Sequence, residues 1–93
     1  MKTLTLNHFV DPGHSWIEIH KEFAANLIGP GWRRAFSSFS HAHDDFVYLE
    51  EDDDAQTLKI ILETLNYELH LKTHEDNEFS CIRDYPRFQP FAS

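Results

Sequence analysis

The chain has 93 residues, 41% of them apolar and 26% charged, which is the size and balance of one globular domain. That excludes a mainly disordered chain, a collagen-like repeat and a disulfide-stapled miniprotein. Sixteen acids against eight bases give a formal −8 with neutral histidines, and seven histidines would bring it to −1 if all were protonated. A strongly negative surface is a poor non-specific ligand for nucleic acid or for anionic membranes. It suits a basic protein partner, and the histidines make its charge change steeply between pH 7 and 5.

The first element is a strand over residues 3–10, where Leu4, Leu6 and Val10 alternate with Thr3, Thr5 and Asn7. Asp11-Pro12-Gly13-His14 predicts a type II turn, with proline fixing φ and glycine supplying a positive φ. Trp16 to Ile19 is a second strand with Ile17 and Ile19 inward. Phe23, Ala24, Leu27 and Ile28 then take helical spacing until Gly29-Pro30-Gly31 stops them. Trp32 to Phe36 reads as a further turn of helix, and Ser37 to Ser40 as a loop or strand start.

Phe46-Val47-Tyr48-Leu49 is apolar on both faces, as a central strand requires. Leu58, Ile61, Leu62 and Leu65 follow at i, i+3, i+4 and i+7, with Asp52, Asp53 and Asp54 ready to cap that helix. Leu69 and Leu71 return to period two. His74 to Asn77 predicts a turn and Phe79 to Arg83 the return strand of a hairpin. The expected architecture is α+β, in the order β-β-α-β-α-β-β, with a mainly antiparallel sheet and two helices. Residues 1–85 form one domain, and residues 86–93 a tail of prolines and aromatics that either docks or dangles.

No apolar run approaches a membrane span, the N-terminus lacks the apolar core of a signal peptide, and Cys81 is alone. These features lead to the expectation of a soluble protein of the cytoplasm. The blocks DPGH-S-W at residues 11–16, FVYLEED at 46–52 and IRDY at 82–85 resemble a group of small bacteriophage- and plasmid-encoded proteins with a DPGH-W, YLEED-DA, IR-Y layout. That group usually carries cysteine at the position of Asp53. The resemblance implies a mobile-element origin and a host cytoplasm, with no known reaction. It favours an accessory protein that binds host proteins, defence systems included.

Seven of the eleven residues from Asp44 to Asp54 are acidic. One reading is a capped, solvated helix start; the other is a phosphate-mimicking surface of Asp44, Asp45, Glu50, Glu51, Asp52, Asp53 and Asp54 for a basic partner. A calcium loop lacks its D-x-D-x-D-G pattern. His14 and Trp16 are a candidate ligand pocket with the indole as a stacking wall, or a tied turn over a core edge. His41-x-His43-x-Asp45 and His70-x-Lys72-x-His74 put metal-capable groups on strand faces, but neither supplies a full ligand set. No metal or cofactor is therefore expected. Trp32-Arg33-Arg34 is the one adjacent basic pair, read as an internal or protein contact more readily than a phosphate contact. Tyr85, Phe88 and Phe91 recur every third residue and pack on the domain, on a second copy to form a homodimer, or in a partner.

No G-x-S-x-G elbow, P-loop or Cys–His signature supports catalysis. The expected function is stoichiometric: inhibition of a host nucleic-acid-handling or defence complex, an anti-CRISPR being one example, without enzymatic activity or direct nucleic-acid binding. The alternatives are a small-ligand or nucleotide binder, and a metal-binding protein using the histidine-bearing strands.

Overall fold

Among residues 1–92, which the computed structural model describes, the chain forms five strands and two α-helices. They run β1 (Lys2–Val10), β2 (Ser15–His20), α1 (Lys21–Ile28), β3 (His41–His43), β4 (Phe46–Glu50), α2 (Asp54–Thr64) and β5 (Tyr67–Glu75). Short 3-10 turns cover Trp32–Ala35 and Cys81–Asp84. No helix is long and apolar enough to cross a membrane.

The α+β class and the two helices stand, but the order is β-β-α-β-β-α-β and the sheet is mixed. Its strand order is β3-β4-β2-β1-β5. β1, β2, β4 and β3 pair antiparallel, while β5 lies parallel to β1 from Lys2↔Tyr67 to Val10↔Glu75. The predicted final hairpin is not formed. Helix α2 carries the chain across the sheet, so β5 enters in the direction of β4 and finds its partner in the N-terminal strand. Of the predicted return strand, Phe79 and Ser80 are irregular and Cys81 to Arg83 enter the 3-10 turn Cys81–Asp84. Ser80 Oγ accepts the Ile82 N–H at 3.2 Å, and the Arg83 N–H returns to the Ser80 carbonyl at 3.2 Å. Only Ile82 of that stretch is buried, too little to hold a half-buried strand.

Pleating divides the sheet as its alternation requires. Ile17, Ile19, Val47 and Leu49 pack under both helices against Ala24, Leu58, Leu62 and Phe88, with Leu4, Leu6, Leu69 and Leu71 alongside. On the opposite face Trp16, Tyr48 and Ile82 make a smaller cluster with Phe9, Phe46 and Tyr85. The start of the tail docks. The Ala42 N–H donates to the Pro86 carbonyl at 2.8 Å and the Phe88 N–H to the Ser40 carbonyl at 2.9 Å, which seats Phe88 fully in the main core. Phe91 is left 83% exposed, with the Arg34 guanidinium 5.8 Å from its ring centroid. Arg33 stacks on Trp32 and Phe88 and donates to the Gln89 carbonyl at 3.0 Å, so it serves the tail.

Two local expectations are corrected. Gly13 does not take the positive φ of a type II turn; Gly29 and Gly31 are the left-handed glycines among the described residues. The turn is closed by the Asp11 side chain, whose Oδ1 accepts the Gly13 and His14 amides at 3.0 and 2.9 Å. The start of α2 is not capped by a side chain either, since Asp53 holds the cap position without such a bond. Asp54 turns inward, is 2% exposed, and accepts the Ser37 N–H, the Ser37 hydroxyl and the Ser40 hydroxyl.

Candidate ligand cleft

The site begins with one carboxylate. Asp11 is buried, and beyond the two turn amides its Oδ2 accepts the Ser80 N–H at 2.9 Å and Arg83 Nε at 2.6 Å, while Oδ1 accepts Arg83 Nη2 at 2.8 Å. The Arg83 hydrogen bond, opposed by burial and assisted by the three amides, holds the Asp11 carboxyl far below the usual carboxylate range. Two segments some seventy residues apart are thereby locked together. A Cβ on Gly13 would stand 2.8 Å from Arg83 Nη2, so a larger residue there has to displace the guanidinium that binds Asp11.

That lock fixes His14 at the mouth of a cleft of about 450 Å³. Trp16, Phe39, His41, Glu50, Asp52, Asp53, Arg83 and Arg87 complete its lining. The register explains the meeting: Trp16 lies opposite Glu50 across β2–β4, and the Glu51 N–H continues the ladder to the Ser15 carbonyl at 3.1 Å. His14 Nδ1 stands 3.9 Å from Glu50 Oε1 and 3.6 Å from Glu51 Oε1. Burial raises the Glu50 pKa, with the Asp52 and Glu51 charges adding to it; the Asp52 N–H and His14 act the other way.

Trp16 is not the stacking wall the sequence suggested. It is 2% exposed, with the His14 and His41 rings at 6.0 and 6.4 Å and the Arg83 guanidinium at 6.0 Å, so only its edge reaches the cleft. The exposed aromatic surface is Phe39, at 64%, whose carbonyl receives Arg87 Nη1 at 3.0 Å. The sequence does not mark Phe39, Arg83 or Arg87 as ligand residues. An exposed phenylalanine in a serine-rich loop, and two arginines near the C-terminus, carry no motif until the fold joins them.

The acidic run is also divided. Asp44 and Asp45 are exposed at the turn before β4, and Glu50 to Asp53 lie at its far end, about 16 Å away at the rise of an extended strand. Asp54 is buried and unavailable to a partner, because Ser37 and Ser40 take its oxygens. His41, His43 and Asp45 do not converge: the His41 ring donates to the Tyr85 carbonyl at 2.9 Å and His43 stacks on Tyr85 at 4.2 Å. His70 and His74 turn to Glu68 and Asn7. Among the described residues, His14, Glu50 and Glu51 are the one group of three metal-capable side chains whose ligand atoms all lie within 4.8 Å of one another.

No protein-family profile matches this chain, no curated protein matches its sequence, and no solved structure matches its fold.

Proposed function

We propose that this protein binds a small anionic ligand with an aromatic part, a nucleotide being the class that fits, and acts by holding it without turnover. The observation that carries this reading is the cleft, which joins two guanidinium groups, an exposed aromatic ring and a wall of His14, Glu50, Asp52 and Asp53. Its volume of about 450 Å³ lies in the range of small-molecule sites. Arg83 and Arg87 keep N–H groups beyond those spent on Asp11 and Phe39, and guanidinium suits phosphate oxygens. Phe39 offers the stacking surface that buried Trp16 does not.

The test is calorimetric titration with nucleoside mono- and triphosphates, alongside amide chemical-shift mapping. Saturable binding with shifts at His14, Phe39 and Arg87, weakened at least about tenfold by Arg87→Ala, supports the reading, since one charge-assisted contact is worth that much. No saturable heat and no shifts at the cleft would refute it.

A second reading keeps the basic protein partner, carried by the exposure of Asp44, Asp45, Asp52 and Asp53 on a chain of formal −8. Here the protein inhibits a host nucleic-acid-handling or defence complex by occupying its Lys/Arg surface. Affinity capture from a bacterial lysate at low and high salt tests it. The Asp52→Asn/Asp53→Asn variant should lose the partner and flatten the salt dependence.

A further inference from the structure

We propose that His14, Glu50 and Glu51 form a seat for a divalent transition-metal ion at the edge of the cleft, which His14 and Glu50 line, and that the ligand's anionic oxygens complete its coordination. The inference rests on the cleft being a ligand site and names the chemistry of its acidic wall. Such a wall works against an anion held by Arg83 and Arg87, and a cation between them would relieve that repulsion.

The geometry is close to what an ion needs. Ligand atoms about 2.0 to 2.2 Å from a common metal lie roughly 3 to 3.5 Å apart. His14 Nδ1 is 3.6 Å from Glu51 Oε1 and 3.9 Å from Glu50 Oε1, so sub-ångström side-chain shifts bring all three to one centre. The remaining oxygen of each carboxylate is already engaged. Glu51 Oε2 accepts the Ser15 hydroxyl at 2.8 Å, and Glu50 Oε2 accepts the Asp52 N–H at 3.1 Å. This leaves the two Oε1 atoms facing the imidazole, in the way outer-shell hydrogen bonds orient metal ligands. The His14 backbone is fixed in turn through Asp11 and Arg83.

One imidazole nitrogen with two carboxylate oxygens favours Zn²⁺ or Mn²⁺ over Mg²⁺ and Ca²⁺, which prefer oxygen alone. Three protein ligands leave coordination positions open, and two of the three, His14 and Glu50, line the same cleft as Asp52, Asp53, Arg83 and Arg87.

The decisive experiment titrates the wild-type chain with ZnCl₂ and with MnCl₂, without any organic ligand, by calorimetry. Proton relaxation is followed as Mn²⁺ is added. The expected result is one site per chain, with the His14, Glu50 and Glu51 resonances broadened first. His14→Ala and Glu51→Gln should each weaken it by at least about tenfold. His70→Ala, at an exposed histidine beside Glu68, should leave it unchanged. The wild-type relaxation map holds whether or not the variants fold. Broadening centred on other histidines, no saturable metal binding, or an equal loss in His70→Ala would overturn the proposal. Nucleotide binding in EDTA with no metal binding would sink the cation seat and keep the cleft reading. Metal binding at His14 with no nucleotide binding would sink the cleft reading and the ligand's share of the coordination, and keep only the three-residue seat.

Discussion

Replacing Ser40 by alanine tests the joint that connects the core to the acidic wall. Ser40 is fully buried and its hydroxyl has two partners. It donates its one proton to Asp54 Oδ2 and accepts the Glu50 N–H at 3.0 Å. The β3–β4 ladder ends at His41↔Tyr48, so Glu50 has no strand residue to bond on that side. Alanine removes a donor to a buried carboxyl, which costs about 1.5 to 3 kcal/mol, and orphans the Glu50 N–H, which costs about 1 to 3 kcal/mol. The lost oxygen leaves little cavity, so the expected destabilisation is about 3 to 5 kcal/mol. A domain of this size holds only about 5 to 15 kcal/mol in all. Urea unfolding followed by far-UV circular dichroism should show the midpoint falling by about 2 M with an unchanged slope. In an Asp54→Ala background the same substitution should cost only the Glu50 share, about 1 to 3 kcal/mol. A cost below about 1 kcal/mol, or the same cost in both backgrounds, would refute the assignment of both bonds to one hydroxyl.

Gly13→Ala should lower the melting temperature, because its Cβ displaces the Arg83 group that binds Asp11. In an Arg83→Ala background the same change should instead stabilise by about 0.4 to 1 kcal/mol, since φ is not positive there and alanine narrows the unfolded ensemble; the same sign in both backgrounds would defeat the steric reading. Phe88→Ala should cost about 3 to 5 kcal/mol in chemical denaturation, as a full core residue does, although only five residues of the sequence follow it. Acid titration of stability should show two losses. His8 has a lowered pKa, through burial and then Lys59, so the unfolded state takes the proton first and stability falls as pH drops through about 6.5. Asp11 repeats this below about pH 4, because its folded pKa is depressed and the unfolded carboxylate protonates first. Glu50, raised by burial, works in the opposite direction and softens the lower loss. In Asp11→Asn the lower loss should shrink and the upper one persist; an unchanged curve would remove Asp11 as its cause.

The local elements were legible because their causes are local. Alternation at Leu4 and Leu6, the stripe from Leu58 to Leu65 and the Gly29 stop act within a few residues, and the chain forms those elements there. Pairing was not local. Nothing in Leu69 and Leu71 states that β5 lies parallel to β1 and not against residues 79–83, because both pairings satisfy period two. Helix α2, by carrying the chain over the sheet, makes that choice.

The same division holds for the candidate site. His14 and the acids were visible as residues of interest, and their types alone gave the chemistry they can offer. What the sequence concentrated in one run, the fold separated: β4 sends Asp44 and Asp45 to one end and Glu50 to Asp53 to the other, while Asp54 is drawn into the core. What the sequence scattered, the fold collected: Phe39, Arg83 and Arg87 reach His14 only through the Asp11 lock and the docked tail. By itself the sequence determined composition, a surplus of acids, seven histidines and most local elements, since these follow from residue type and spacing. Tertiary structure decided which acids face solvent, which one is buried and which meet an imidazole, because strand register and chain crossover set those distances.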